Sequence, residues 1–164
     1  MHMAVTAGSP PAPDGGELRC TCRPGATVWL TGRPGPGKTA LARAVRDELH
    51  RSGRRAEVLY GDEPPADRVL GAAPAPTAAD RRRLGLAAET LARNGITVLA
   101  LVDGPGADTA GPAVRARHRA AGVPYLAVEV GPAGGPGDRI DVAGQDPAAA
   151  AAALLRLMNG KGPR

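Results

Sequence analysis

The strongest constraint on how this chain can fold is a glycine-rich stretch at residues 32–39. Its letters, G-R-P-G-P-G-K-T, match the phosphate-binding pattern G-x-x-x-x-G-K-[ST] at every fixed position. The β-branched, apolar residues 27–31 before it predict a buried strand, and residues 40–49 after it place apolar side chains at helical spacing. A strand, a loop and a helix in this order are the context in which the pattern binds phosphate.

The residue types explain how this stretch would bind an anion. Glycines allow the backbone to wrap around a phosphate and point N–H groups at it, and the following helix directs its positive end there. Lys38 can reach the β- and γ-phosphates of a nucleotide, and the Thr39 hydroxyl can bind Mg²⁺. Only two of the chain's 21 basic residues are lysines, and one stands where the pattern requires it. This argues against the alternative, a ligand-free turn. The predicted nucleotide-binding residues are Gly32, Arg33, Pro34, Gly35, Pro36, Gly37, Lys38, Thr39 and Ala40.

The remainder of the chain alternates predicted strands and helices. Further strands are predicted at residues 56–60, 96–102, 125–130 and 139–142, and helices at residues 77–93, 112–121 and 147–160. This alternation predicts a mostly parallel sheet with helices on both faces, the three-layer α/β/α architecture of a P-loop domain. We expect that domain to span residues 25–160. Residues 1–24, rich in proline and glycine with little apolar pattern, are expected to be flexible.

Two carboxylates follow predicted strands, where the sites of open α/β sheets lie. Asp103 ends a long apolar strand and is predicted to hold the Mg²⁺ shell. Asp62 ends the strand after the phosphate-loop helix, where it could orient or deprotonate a substrate hydroxyl. The alternative for each is an acid that caps a turn at the end of a strand.

Composition narrows the classes of partner. The net charge is +5, but the chain has only three aromatic residues, Trp29, Tyr60 and Tyr125, and no zinc-finger spacing, so we expect no nucleic-acid binding. A small phosphorylated or sulfated substrate explains the positive charge equally well. No apolar run is long enough to span a membrane, and we expect a cytoplasmic protein. Cys20 and Cys22 are interpreted as incidental thiols, with a redox-sensitive tether as the alternative.

Beyond the general motif, the chain resembles one family. Residues 25–32 with the phosphate loop are similar to the adenylylsulfate (APS) kinases, and the likeness extends over residues 25–130. Residues 58–62, V-L-Y-G-D, resemble that family's V-L-D-G-D segment, and residues 77–81, T-A-A-D-R, resemble its S-x-x-D-R. Arg115 and Arg117 lie where the family has a substrate-side arginine helix.

The resemblance implies a reaction and roles for residues. The reaction is transfer of the ATP γ-phosphate to the 3′-hydroxyl of APS, with Mg²⁺, to give PAPS. Lys38 would act in catalysis and with Thr39 serve the nucleotide and metal, while Asp62 would face the accepting hydroxyl. Arg81, with Arg68 and Arg115, would bind the substrate. The family also suggests a homodimer.

The chain departs from the family at several positions. Tyr60 replaces an acid, Pro65 stands where an arginine is expected, and Leu84 occupies the site of an asparagine. The chain has no phenylalanine, and the family's lid segment, R-D-x-K-G-L-Y, is absent. Three hypotheses follow: a kinase of APS or of another small hydroxylated molecule, a non-catalytic nucleotide-binding paralogue that regulates a partner, and, with least support, a nucleic-acid-binding ATPase.

Overall fold

The structure, a computed structural model, describes residues 24–33, 36–61, 77–103, 110–132 and 137–160. Its strands are β1 (Thr27–Gly32), β2 (Ala56–Tyr60), β3 (Thr97–Asp103), β4 (Tyr125–Val130) and β5 (Arg139–Ile140). Its helices are α1 (Pro36–Arg51), α2 (Ala78–Arg93), α3 (Gly111–Ala120) and α4 (Pro147–Gly160). Cys20, Cys22 and nearly all of the predicted flexible segment lie outside the described residues. None of the helices in the described ranges is long and apolar enough to cross a membrane.

The five strands form one sheet in the order β2-β3-β1-β4-β5, and every pair is parallel. In β1 and β3, Thr27 pairs with Val98 and Gly32 pairs with Asp103. The carboxyl ends of the strands therefore meet along one edge of the sheet, which we call the carboxyl edge. The phosphate-binding stretch begins at this edge.

Both faces of the sheet are covered, because successive side chains of a strand point to opposite faces. Val28 and Leu30 of β1 pack into a core with apolar residues of α1 and α4. Trp29, between them, packs on the other face with Val114 of α3 and with Ala100 and Val102 of β3. This arrangement explains the nearly continuous apolar runs of β1 and β3 and confirms the predicted three-layer α/β/α fold.

The start of α2 follows the sequence prediction. Thr77 caps the helix: its hydroxyl accepts the Asp80 N–H at 3.2 Å, and the Asp80 carboxylate accepts the Thr77 N–H at 3.0 Å. This reciprocal pair satisfies backbone donors that a helix start leaves open. The hydrogen bonds from Thr77 hold the pKa of Asp80 below its ordinary value.

Most element boundaries lie within a residue or two of the prediction, but the start of α1 and the end of β5 differ for reasons that the structure shows. Helix α1 begins at Pro36, inside the phosphate-binding stretch, because proline is pre-organised for the first helical position. Strand β5 ends at Ile140 rather than at Val142. There the Asp141 carboxylate accepts the Ala143 N–H at 2.8 Å, and this local turn ends the strand.

A fully buried histidine ties α3 to β1. His118 Nδ1 lies 2.8 Å from the Val114 carbonyl oxygen, and Nε2 lies 2.9 Å from the Thr27 hydroxyl. Because a carbonyl can only accept, Nδ1 carries the hydrogen and Nε2 accepts from the hydroxyl. The ring is therefore held neutral in one tautomer.

His118 should make the free energy of unfolding depend on pH. Burial, opposed by the hydrogen bond to Val114 and the charge of Glu89, holds the pKa of His118 below its ordinary value of 6.5. The unfolded chain then binds the proton more readily, so stability is complete above about pH 6.5 and falls below it, by up to about 1.4 kcal/mol per pH unit.

Urea unfolding between pH 7.5 and 5.5 measures this dependence, with pH values chosen to bracket the ordinary histidine pKa. His118→Gln should flatten the curve in that window, whereas His50→Gln, at an exposed site on α1, should leave it steep. A wild-type curve that is flat over the window would contradict the buried neutral ring.

Candidate functional site

The centre of the candidate site is the junction of β1, β3 and the start of α1. Gly32 ends β1 beside Asp103, with a φ of 143° that L side chains rarely adopt. A Cβ at Gly32 would lie 2.4 Å from the Val130 carbonyl oxygen of β4. The first turn of α1 carries Lys38 and Thr39, so the positive end of the helix dipole lies at the carboxyl edge.

The Lys38 ammonium is the buried charge of this junction, with only 3% of the residue exposed. It donates to the carbonyl oxygens of Gly32 and Val102, each at 3.0 Å, and to the Asp103 carboxylate. These three acceptors use all three N–H donors of the ammonium. The lysine is therefore fixed at the carboxyl edge between β1 and β3.

The structure gives Asp103 a contact that the sequence did not predict. The sequence predicts a metal ligand at this position, and in the structure the Asp103 carboxylate pairs with the Lys38 ammonium. The Asp103 side chain is still 36% exposed, so part of the carboxylate faces solvent. A phosphate that approached Lys38 would compete with this carboxylate for the ammonium.

The donor chemistry fits Mg²⁺ shared with a substrate. Thr39 offers a hydroxyl and Asp103 a carboxylate, both hard oxygen donors. Across the described ranges, no group of three or more His, Cys, Asp or Glu side chains could hold an ion by itself. Because Mg²⁺ keeps several waters and is often bound by one or two protein groups plus phosphates, these two donors would fit an ion whose other ligands are water and substrate phosphate.

Arg81 reaches the same edge from α2. Its Nη2 donates to the main-chain oxygen of Asp103 at 3.0 Å. Its Nε is buried without a hydrogen-bond partner among the described residues. The structure thus brings the predicted substrate arginine next to the Lys38–Asp103 pair.

Two positions at which the sequence departs from the family, Tyr60 and Leu84, lie within the described residues, and both side chains pack against apolar clusters. Tyr60 is partly buried against the core shared with α1 and α4. Leu84 packs with the cluster around Trp29, and its Cδ2 lies 3.0 Å from where a Gly61 Cβ would be. Both positions serve the fold in this chain.

Arg115 is not brought into this site. Its guanidinium carbon lies 5.6 Å from the centre of the Tyr125 ring, and Tyr125 pairs with Thr27, the first residue of β1. At about 3.3 Å per strand residue, that pairing lies roughly 16 Å from Gly32, at the opposite edge of the sheet. Arg117 pairs instead with the buried Glu89. Of the other predicted site residues, Arg33 and Ala40 are exposed. Pro34, Gly35, Asp62 and Arg68 lie outside the described residues.

Two sets of contacts at the site could not be predicted from the sequence: the main-chain oxygens that bind Lys38, and the packing of the segment after β5 against the start of α1. No side-chain pattern marks the carbonyl oxygens of Gly32 and Val102 as ligands of Lys38. A Cβ at Gly37 would lie 2.7 Å from the Val142 methyl, so the segment after β5 packs against the start of α1. The glycine of the motif was the available signal for that close approach.

Comparisons with known proteins agree on a family. Residues 24–132 match the family model described as adenylylsulphate kinase. The adenylyl-sulfate kinase of Synechococcus sp. strain JA-3-3Ab is 42% identical over 79 residues, 47% of this chain and 45% of that protein. The adenylyl-sulfate kinase of Myxococcus xanthus is 37% identical over 108 residues, 65% of this chain and 57% of that protein. The chain thus spans about half the length of the curated relatives it matches.

A solved structure agrees over a larger share. A mutant of the Mycobacterium tuberculosis APS kinase superposes with a TM-score of 0.67 at 29% identity. The superposition covers 83% of this chain and 98% of that one. The similarity therefore extends beyond the phosphate loop to the arrangement of strands and helices.

Proposed function

Because the chain belongs to the adenylylsulphate kinase family, we propose that it is an ATP-dependent phosphotransferase that acts on a hydroxyl group of a small, anionic acceptor. The observation that carries this proposal is the buried Lys38 ammonium, fixed at the carboxyl edge beside the start of α1. A fixed cation and a helix N-terminus together favour the charge that builds up on a transferring phosphoryl group.

The residues divide into a nucleotide side and an acceptor side. On the nucleotide side, Lys38 binds the β- and γ-phosphates, and Thr39 and Asp103 hold Mg²⁺, which neutralises phosphate charge. On the acceptor side, Asp62 orients the attacking hydroxyl, and Arg81, with Arg68, binds the anionic part of the acceptor. The contact between Arg81 and Asp103 joins the two sides.

The acceptor that the family suggests is APS, phosphorylated at its 3′-hydroxyl to give PAPS. The packing of Tyr60 and Leu84 into the cores removes polar groups that the family has at these positions. A related hydroxylated metabolite is therefore the second acceptor we propose. A small-molecule enzyme of this kind fits a cytoplasmic location and sulfate assimilation, and a homodimer follows from the family resemblance alone.

The test is an acceptor screen in Mg-ATP that follows ADP release with APS and with a panel of hydroxylated metabolites. Turnover with APS supports the full proposal, and turnover with another panel member supports the phosphotransferase with a changed acceptor. ATP binding without turnover on any acceptor would instead favour a non-catalytic nucleotide-binding paralogue. The Lys38→Ala variant identifies ADP release that arises from a contaminant.

Arg81→Ala is expected to raise the KM for the acceptor by about tenfold, as the loss of a charge-assisted contact does. The KM for ATP should change less, because the contact that Arg81 makes with the nucleotide side is to the Asp103 main chain. Arg82→Ala, one residue further and exposed, is the matched control and should leave both constants unchanged. An unchanged acceptor KM in Arg81→Ala would remove Arg81 from the acceptor side.

Asp103→Asn is expected to raise the Mg²⁺ concentration needed for half-maximal turnover by about tenfold, because an amide is a weaker ligand than a carboxylate. The measurement is a magnesium titration of ADP release at saturating acceptor. If the half-maximal concentration does not move while the variant unfolds more easily, Asp103 serves Lys38 alone.

A further inference from the structure

Outside the candidate site, the outer surface of the α2–α3 layer carries an open groove of about 430 Å³. Its floor is apolar and includes Leu86 of α2 with Ala113 and Val114 of α3. Leu86 is 46% exposed, and among the described residues no other large hydrophobic side chain is exposed. A volume of this size accommodates a small molecule or one or two anchoring side chains of a partner.

Close packing of the two helices gives this groove a fixed shape. A Cβ at Gly85 would lie 2.6 Å from a Val114 methyl, so α2 and α3 touch directly beneath the groove. The buried Glu89 of α2, 4% exposed, pairs with Arg117 of α3 and ties the helices together one turn further on. The groove is therefore preformed, which lowers the entropic cost of binding.

The rim of the groove is positively charged. Arg82, Arg83 and Arg117 line it, and the two helices carry seven arginines against two acids. The two acids offset only part of this charge: Asp80 pairs with Arg83, and the buried Glu89 is shared between Arg93 and Arg117. Arg82 is exposed and has no acidic partner among the described residues. The face combines an apolar floor with an excess of cations.

The apolar floor and the positively charged rim together favour one class of binding partner for the groove over others. A second copy of the chain docked through the same face would set these arginines against one another, which costs free energy. Nucleic acid would meet the arginines, but its phosphates would gain nothing from the exposed Leu86. An acidic protein segment satisfies both, since carboxylates complement the rim and an apolar side chain fills the floor.

We propose that the α2–α3 groove is a docking site for an acidic segment of a partner protein, anchored by an apolar side chain against Leu86 and flanked by carboxylates that pair with the arginine rim. The groove is lined by residues of α2 and α3 to which the proposed kinase reaction assigns no role, and the inference does not depend on that reaction. The absence of kinase activity would therefore leave this inference unaffected.

The probe is a library of random 16-residue peptides displayed on phage and selected against the full chain. Selected peptides are synthesised with a fluorophore, and their Kd values are measured by fluorescence anisotropy. The expected consensus has Asp or Glu on both sides of a large apolar residue. Replacing the peptide's acids by amides, or its apolar residue by serine, should each weaken binding at least about tenfold, the effect of one lost charge-assisted contact or buried anchor.

Protein variants locate the site. Leu86→Ser and Arg82→Ser remove one floor and one rim contact, and both side chains are exposed, so the chain should still fold. Each should weaken peptide binding at least about tenfold, while Arg156→Ser on α4, on the opposite face of the sheet, should not. Arg83 and Arg117 are left unchanged because their ion pairs support the helices.

Four results would overturn the proposal. One is a selection that enriches no acidic consensus, and another is binding that survives both Leu86→Ser and Arg82→Ser. The third is sedimentation that shows a wild-type dimer dissociated by Leu86→Ser, which would assign the groove to a second copy of the chain. Duplex RNA that competes with the peptides, and whose binding requires Arg82 but not Leu86, would likewise replace a protein partner by nucleic acid.

Discussion

Replacing Lys38 with alanine is expected to lower kcat/KM for ATP-dependent turnover by about a hundred- to a thousandfold, the range seen when a fixed donor to transition-state charge is removed. The ammonium is 3% exposed and is held by two carbonyl oxygens and a carboxylate, so the substitution removes a fixed, buried cation from the carboxyl edge. Affinity for ATP should fall as well, because the same ammonium binds the nucleotide before the reaction. ADP-release kinetics and ATP titrations measure the two effects.

The matched control is Arg43→Ala, which removes an exposed cation from the same helix, α1. It should leave turnover and ATP affinity within about twofold of the wild type, as expected of an exposed surface substitution. If Lys38→Ala turned over ATP as the wild type does, the phosphate-binding stretch would have no part in the reaction. Equal losses in both variants would point to a general effect of helix charge.

Gly32→Ala is expected to lower the free energy of unfolding by about 4 kcal/mol, the sum of backbone strain and overpacking. The backbone of Gly32 has a φ of 143°, and a Cβ there would lie 2.4 Å from the Val130 carbonyl oxygen. That oxygen belongs to the neighbouring strand β4, so relief of the clash requires the sheet itself to move. Urea denaturation measures the change.

The control for Gly32→Ala separates the cost of the unfavourable backbone conformation from the cost of the clash with the Val130 carbonyl oxygen. Gly53 has a φ of 76°, but a Cβ there would meet nothing within 4 Å. Gly53→Ala should therefore cost only about 1 kcal/mol, the cost of an unfavourable backbone conformation alone. Equal costs at the two glycines would show that the sheet yields to the added Cβ at Gly32.

The sequence was sufficient to predict the elements because local signals and the overall pattern agree. The apolar runs at residues 27–31 and 96–102 are found as strands β1 and β3, and the predicted helices at residues 77–93 and 147–160 are found as α2 and α4. The start of α1 and the end of β5 were predicted less well, because local interactions of single residues set these boundaries. Pro36 starts α1 early, and the Asp141 carboxylate ends β5 early.

The site was less predictable, because its geometry depends on contacts between segments distant in the chain. Lys38 and Asp103 are 65 residues apart and meet only because β1 and β3 are neighbours in register. The family resemblance suggested a substrate role for Arg115, but the pairing of β4 with β1 places it near the opposite edge of the sheet. Sequence patterns specify residue types, whereas strand order decides which of them meet.

The Lys38–Asp103 pair also suggests how the predicted phosphate-binding role of Lys38 and the predicted metal-binding role of Asp103 are connected. Separating the two partners would leave a buried ammonium uncompensated, and a phosphate anion could supply the compensating charge. The exchange would release the Asp103 carboxylate toward the magnesium shell. Nucleotide binding and metal binding should therefore strengthen one another, as linkage requires of coupled sites.

The most direct test of the account is to observe the Lys38 ammonium itself while ATP is added. Because the chain has only two lysines, Lys38 and Lys161, nitrogen NMR of lysine-labelled protein gives at most two side-chain signals, assigned with Lys161→Arg. We predict that Mg-ATP shifts the Lys38 signal saturably and leaves the Lys161 signal in place. A Lys38 signal that does not move at ATP concentrations that saturate the protein would contradict the assignment of the phosphate site to the carboxyl edge.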